Sequence, residues 1–299
     1  MRVAYLLKSS AFEVLAAQRT NGGGDHARVR SLLRRKDPTV ARLLGAHEEH
    51  TRTVAELLEA LAALGAEGVP YTQGLEINKR RFALAVSVGG DGTLLRLSKS
   101  VADVPMLGIN SAPSTSVGYF CGAKSGGVRA ALERALDGKL GVRELSRMQV
   151  SVGGKVVSSR VLNDALFCHL SPAATSRYLI EFRGVVEEHK SSGLWVGPAA
   201  GSTAAQRSAG GRVLPLESRR IQLVVREPYT PMGETHRLLR VVAEPGEEIV
   251  VRNKMRESAI FLDGPDIAIR PRFGDVLRFK RSDEPLLLCG IPKRRRSAG

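Results

Sequence analysis

Three short stretches of the chain place chemically capable residues at close spacing. The first is Gly89-Gly90-Asp91-Gly92-Thr93, which follows an apolar run at 83–88 and precedes Leu94-Leu95. Glycines let backbone N–H groups approach an anion with no Cβ in the way. A helix beginning here adds the positive end of its dipole. An acid inside such a nest is unexpected, because a carboxylate repels phosphate. The conflict resolves if Asp91 faces a hydroxyl, accepting its proton as that oxygen attacks phosphorus, or helps to hold Mg²⁺. Plain tight turns use the same residues, but the apolar run before and the helical period after favour a phosphate site.

The second stretch is Leu162-Asn163-Asp164 at the end of a β run. An amide there can read a base edge, and a carboxylate suits a ribose diol. A polar strand end would look the same. The third is Gly197-Pro198-Ala199-Ala200-Gly201-Ser202-Thr203-Ala204-Ala205, continuing to Gly210-Gly211. Small side chains permit close approach of a flat ring or a phosphate, and Ser202 and Thr203 have the hydroxyls of helix caps. A flexible Ala/Gly loop has the same composition.

The elements that must carry these residues follow from periodicity. Residues 2–7 read as a strand, and 21–25 as a glycine-rich loop within a polar segment at 19–37 that has no pattern of its own. Over 38–66 apolar residues recur at three- and four-residue steps, which predicts a helix ended by Gly65 or Gly68. A weak strand is expected near 70–72 and a buried one at 82–88. Thr93 is expected to cap the next helix, and 105–110 to form another strand. Alternating strands and helices predict an α/β domain with a parallel sheet over 1–111. After a helix at 125–137 come short β runs: 142–152, 155–167, 176–183, 193–197, 221–225, 238–243, 248–252, 259–263, 266–270, 276–280 and 286–289. Turns such as Val152-Gly153-Gly154-Lys155 separate them. Residues 112–280 are therefore expected to form a β-rich, mostly antiparallel domain.

The bulk figures are those of a globular protein with a substantial core: 299 residues, 43% apolar and 25% charged. No run of about 18 apolar residues is present, so a membrane span is not expected. The N-terminal apolar stretch is too short for a signal-peptide core, and a cytoplasmic protein is expected. The three cysteines, Cys121, Cys168 and Cys289, stand far apart with no Cys-x-x-Cys, which fits reduced thiols. His47-Glu48-Glu49-His50 lacks the helical His-Glu-x-x-His spacing and reads as an exposed charged face. The net charge of +15 attracts polyanions. Its only dense run is Lys293-Arg294-Arg295-Arg296, without aromatic interleaving, so phosphorylated small molecules fit better than nucleic acid.

Taken together and in order, the three stretches resemble the NAD kinase family. The resemblance also takes in Gly108-Ile109-Asn110, Leu262-Asp263-Gly264 and Gly274-Asp275. Ser191-Ser192-Gly193 and Arg226-Glu227-Pro228 are most similar to the branch that includes mitochondrial-type NAD kinases, although no organelle leader is visible. The resemblance implies transfer of the γ-phosphoryl group of Mg·ATP to the 2′-hydroxyl of the adenosine ribose of NAD, giving NADP. It implies Asp91 as the base, with Gly90, Gly92 and Thr93 in the nucleotide-binding turn. Asn163 and Asp164 would hold the NAD ribose and base, and Ser202, Thr203 and Ala204 would line the adenosine pocket. It further implies a final segment, about 281–299, that returns to the first domain, and a homodimer or homotetramer. Ser192 and Ala205 stand where many members carry Asp and Tyr. Two other classes are compatible with parts of the pattern. Lipid and sugar kinases share the Gly-Gly-Asp-Gly turn but not the Asn–acid pair or the Gly-Ser-Thr-Ala stretch. A non-catalytic dinucleotide sensor would have no need of Asp91.

Overall fold

The computed structural model describes residues 1–17, 24–233, 235–265 and 268–291. Most of the loop read at 21–25 and the basic run at 293–296 lie outside these residues. The chain divides into two compact units: Met1–Arg143 with the segment from Leu287, and Glu144–Leu286.

The first unit runs β1 (Arg2–Leu7), α1 (Ala11–Ala17), α2 (Gly24–Arg34), α3 (Leu43–Ala63), β2 (Glu67–Pro70), β3 (Leu84–Gly89), α4 (Asp91–Ser98), β4 (Met106–Asn110), β5 (Ala123–Lys124) and α5 (Val128–Leu136). Strands β2, β1, β3 and β4 lie side by side and parallel, and Leu286–Cys289 joins β4 in the same sense through Leu288 and Met106. Every residue of β3 and β4 is buried, as in a sheet covered on both faces. Leu84, Val86 and Val88 meet Leu57 and Leu61 of α3 and Leu132 of α5. On the other face α4 sits close to β4, and a Cβ at Gly108 would stand 2.7 Å from Leu94 Cδ1. The parallel α/β expectation holds.

Three details differ from the sequence reading. The division between units falls at Arg143/Glu144, not near residue 111. The reason is that β5 pairs with β4 and α5 buries Val128 and Leu132 in the first unit's core. Part of the patternless segment is helix α2. The His47–His50 stretch of α3 is not a uniformly exposed face: His50 is buried with Nδ1 2.8 Å from Ser111 Oγ, and His47 Nδ1 lies 2.9 Å from Ser10 Oγ.

The second unit is a sandwich of two antiparallel six-stranded sheets. One sheet runs Val185–Ser191, Ser176–Phe182, Glu248–Asn253, Val276–Arg281, Met148–Val152, Lys155–Val161. The other runs Arg240–Ala243, Ile221–Val225, Leu194–Pro198, Ala165–His169, Ser258–Leu262, Ala268–Ile269. Alternate residues point inward, as the two-residue period of a strand requires. Tyr178, Ile180, Val251 and Phe279 from the first sheet share a core with Phe167, Val196, Leu223 and Ile260 from the second. The strand Val185–Ser191 has no counterpart in the sequence pattern. It is an edge strand of alternating exposure whose central residues are Glu187, Glu188, His189 and Lys190, so it lacks the apolar alternation that marks a strand.

Candidate active site

In the first unit the chain leaves β3 at Gly89 and enters α4 at Asp91. Gly90 is the cap, with extended backbone (φ −103°, ψ −165°), and its carbonyl accepts from the amides of Thr93 and Leu94 at 3.1 and 3.3 Å. Thr93 is therefore not the expected cap. It is the third residue of the helix, and its side chain packs where a Cβ on Gly89 would stand. The turn can close this way because Gly90 opposes Ser116, whose Oγ would lie 2.6 Å from an added Cβ. Among the described residues, Gly92 has nothing within 4 Å of its Cβ position. The amides of Asp91 and Gly92 precede the first carbonyl available within the helix, so they remain for an anion.

The Asp91 carboxylate does not point away from its own unit. Oδ2 accepts the amide of Tyr119 at 2.8 Å and Oδ1 that of Phe120 at 2.7 Å. The segment that supplies these amides is shaped by Asn110, which donates to Ser116 O at 2.8 Å, and by Gly118 at φ +61°, where a Cβ would meet the Asn110 side chain. Each carboxylate oxygen keeps a second lone pair for a hydroxyl or a hydrated cation. The same unit holds a cavity of about 400 Å³ lined by Lys8, Arg42, His47, His50, Ser111 and Thr115. Lys8 reaches it directly from the end of β1, where its amide bonds Val88 O at 2.9 Å. Burial holds the His50 imidazole below its ordinary value. Lys8 and Arg42 carried no sequence motif. Only the adjacency of β1 and β3 makes Lys8 a neighbour of the glycine turn.

In the second unit, the Asn163–Asp164 pair, the Gly201 turn and Leu262-Asp263-Gly264 come together. Asp263, at φ +49°, binds three successive amides, those of Leu162 at 2.9 Å, Asn163 at 2.7 Å and Asp164 at 3.1 Å. The Asn163 carbonyl occupies the space beside Gly197 and Gly201 that a Cβ at either position would need. Gln206 Nε2 donates to that same carbonyl at 3.3 Å and is itself tied to Gln222 at 2.9 Å. Asn163 Nδ2 donates to Asp164 Oδ2 at 2.6 Å. Burial first, then the nearby Asp263 charge, pushes the Asp164 carboxyl up to about 7, partly offset by the Asn163 bond.

Asp164 forms one wall of a cavity of about 340 Å³ with Leu166, Trp195, Phe261, Gly264 and Pro265. An apolar slot with aromatic walls and one carboxylate suits a flat heterocycle on a hydrogen-bonding sugar. Ser202 does not line an open pocket. It is fully buried, its hydroxyl donating to Ala199 O at 2.7 Å and accepting the Leu214 amide at 2.9 Å. Neither Ser202 nor Thr203 caps a helix through its side chain: the short helix at 205–208 starts from Ala204, which is exposed, while Thr203 is half-buried. Asp263 and Gln206, which hold the Asn163–Asp164 segment in place, were the residues that spacing alone did not mark as site-forming.

An α/β unit with a glycine–acid turn at a helix start, followed by an antiparallel β-sandwich, defines a two-unit architecture, and known proteins share it. The family model described as "ATP-NAD kinase N-terminal domain" matches residues 1–139. The chain is 36% identical to a probable NADH kinase of Oryza sativa subsp. japonica, over 70% of this chain and 71% of that one. It is 31% identical to an NADH kinase of Arabidopsis thaliana, over 84% and 87%. The fold matches an NAD kinase from Archaeoglobus fulgidus solved in complex with ATP, with a TM-score of 0.68 at 22% identity over 100% of this chain and 97% of that one. It also matches yeast NADH kinase complexed with NADH, with a TM-score of 0.69 at 13% identity over 98% and 84%. The chain belongs to the NAD kinase family of enzymes.

Proposed function

We propose that the protein transfers the γ-phosphoryl group of Mg·ATP to the 2′-hydroxyl of the adenosine ribose of NAD and of NADH, giving NADP or NADPH. The observation that carries this reading is Asp91, held by two backbone amides at the first turn of a helix whose own first amides are free for phosphate. In the first unit Asp91 accepts the proton of the attacking hydroxyl. The new bond joins the ribose oxygen to the γ-phosphorus, and the bond from that phosphorus to the β,γ-bridging oxygen breaks, leaving ADP. The transition state is largely dissociative, so the protein's work is positioning and neutralisation. Lys8, whose Cβ would lie 3.0 Å from a Cβ at Gly89, supplies positive charge beside the turn, and Arg42 adds charge to the cavity that Lys8 also lines. Mg²⁺ bound with the nucleotide would neutralise phosphate charge. The free lone pairs on Asp91 fit one ligand position of an ion that otherwise keeps water and phosphate oxygens.

In the second unit Asn163 and Asp164 hold the dinucleotide's ribose and base, and the Trp195–Phe261 slot takes a ring. Thr203 and Ala204 border the adenosine, while Ser202 supports them from beneath. The plant relatives named NADH kinase support acceptance of the reduced dinucleotide. A cytoplasmic homodimer or homotetramer is part of the same reading. No described helix is long and apolar enough to cross a membrane.

The test is purified protein with Mg·ATP and either NAD or NADH, the product read as NADP(H) and the oligomer by light scattering. Phosphate appearing on a lipid or sugar, with none on either dinucleotide, would overturn the proposal.

A further inference from the structure

Outside both halves of the candidate site, the β-sandwich unit contains a cluster of metal-ligating side chains. We propose that Glu187, His189 and His236 form a binding site for a divalent transition-metal ion of the zinc class. The inference does not depend on the reaction assigned above.

One donor atom from each of the three residues lies within 4.8 Å of the others. His189 is 1% exposed, yet among the described residues neither of its ring nitrogens has a hydrogen-bond partner. Buried imidazole nitrogens are normally satisfied, because an unmade bond in the interior carries the full cost of desolvation. Its Nε2 stands 3.4 Å from Glu187 Oε2, an ion-pair distance without hydrogen-bond geometry. Tyr178 stacks against one side of the ring at 5.9 Å and His236 lies at 4.6 Å. His189 is thus held between two rings, with its Nε2 facing the Glu187 carboxylate.

The neighbouring chain is built to keep the donors together. The Glu187 carboxylate accepts the amides of Arg237 at 2.8 and 3.0 Å and of Leu238 at 2.8 Å, pinning the residues that follow His236. Such outer contacts orient a ligand and raise its precision. The Tyr229 amide bonds Lys190 O at 2.8 Å, a second tie between the edge strand Val185–Ser191 and the same connecting segment. Two imidazoles and one carboxylate are the donors of zinc, cobalt or nickel sites, and a poor set for Mg²⁺ or Ca²⁺, which take oxygen. Metal–nitrogen distances of about 2.0–2.1 Å bring donors to about 3.3 Å from one another, so from a spread of up to 4.8 Å His236 must close in by up to about 1.5 Å. It sits on a connection between strands, half-buried, where such a shift breaks no strand pairing. Water completes the coordination from the partly exposed side.

The test uses tag-free, full-length protein stripped with a chelator and titrated with Co²⁺, then Zn²⁺. The expected result is one equivalent of Co²⁺ with visible d–d absorption bands, displaced by one equivalent of Zn²⁺, and a Zn²⁺-dependent rise in melting temperature. His236→Ala is expected to abolish bands and rise while leaving the metal-free melt and far-ultraviolet circular dichroism unchanged; His169→Ala is expected to keep both. His236→Gln serves as a second variant with the ring volume largely retained. Absence of stoichiometric Co²⁺ binding, or bands that survive both His236 variants, would overturn the proposal.

Discussion

Asp91 Oδ1 lies 2.7 Å from the amide nitrogen of Phe120, and this bond ties the first turn of α4 to the loop that follows β4. Together with the Tyr119 bond it fixes the carboxylate's orientation before any substrate arrives. Preorganisation of this kind is what lets a general base act without reorganising. Asp91→Asn keeps the volume but offers one acceptor oxygen to two amide donors. Turnover is expected to fall by about 10²–10⁴, the usual contribution of a general base. Dinucleotide binding should survive, and the melting temperature should drop only by the equivalent of about one hydrogen bond, ~1 kcal/mol. Steady-state kinetics beside a binding titration separates these effects. High residual turnover would remove Asp91 from the base role.

Gly92 and Gly201 make a contrasting pair. Among the described residues a Cβ at Gly92 meets nothing within 4 Å, whereas one at Gly201 would overlap the Asn163 carbonyl. Gly92→Ala should therefore fold and melt like the parent while raising KM for ATP several-fold, since the new methyl obstructs phosphate approach. Gly201→Ala should instead lower the melting temperature and weaken dinucleotide binding by displacing Asn163. An unchanged KM for ATP in Gly92→Ala would show that no phosphate approaches that face.

Much of this arrangement was legible before any coordinates. The buried strands β3 and β4 were readable from unbroken apolar runs, and the strand–turn–helix at Gly89–Thr93 from glycines beside an acid. What stayed hidden was long-range. Asp263 serves amides about a hundred positions earlier in the chain, and no periodicity encodes such a reach. The resemblance implies Ser202 in the adenosine pocket, yet its hydroxyl's partners, Ala199 and Leu214, exist only once the 197–214 segment folds back. The edge strand with His189 escaped notice because an exposed edge tolerates charge. Lys8 was unremarkable until parallel pairing set it beside the end of β3.

Asp164 should make the protein's behaviour depend on pH near neutrality. Its carboxyl is raised to about 7, above the ordinary value near 4. The folded state therefore holds the proton more tightly than the unfolded state. The stability this contributes is complete below about pH 4 and is lost as pH rises through about 7. Binding runs the other way, because a ribose diol donates hydrogen bonds best to the ionised form. Thermal melts and NAD titrations from pH 5.5 to 8.5 should show stability falling and affinity rising across the same interval. Asp164→Asn should flatten both curves and weaken binding at the alkaline end. A parent protein with a flat affinity profile would rule out ionised Asp164 as the diol's partner.

Ser202 offers a test of support against contact. Ser202→Ala leaves the Leu214 amide and the Ala199 carbonyl buried without this partner, at a cost of about 1–3 kcal/mol. The expected outcome is a clear drop in melting temperature with KM for NAD changed less than threefold. A large rise in KM at unchanged stability would mean that the hydroxyl turns outward to meet the ligand.

Trp195 is the chain's one tryptophan, and it lines the slot that also contains Asp164 and Phe261. Its emission therefore reports on that slot alone. Arg226 lies over the indole, with Cζ 5.7 Å from the ring centroid, and steadies one face while the cavity borders the ring. Saturating NAD is expected to quench the emission, and NADH should in addition show transfer of excitation from the indole to the reduced nicotinamide. If the slot takes a ring of the dinucleotide, Trp195→Ala should weaken binding by about 10- to 100-fold, the scale of one aromatic stack at roughly 1–3 kcal/mol. Trp195→Phe should recover most of that loss but not the signal. Emission that ignores saturating dinucleotide, together with an unaltered Kd in Trp195→Ala, would place the ring elsewhere in the β-sandwich unit and leave Asp164 without the neighbour that makes its position useful.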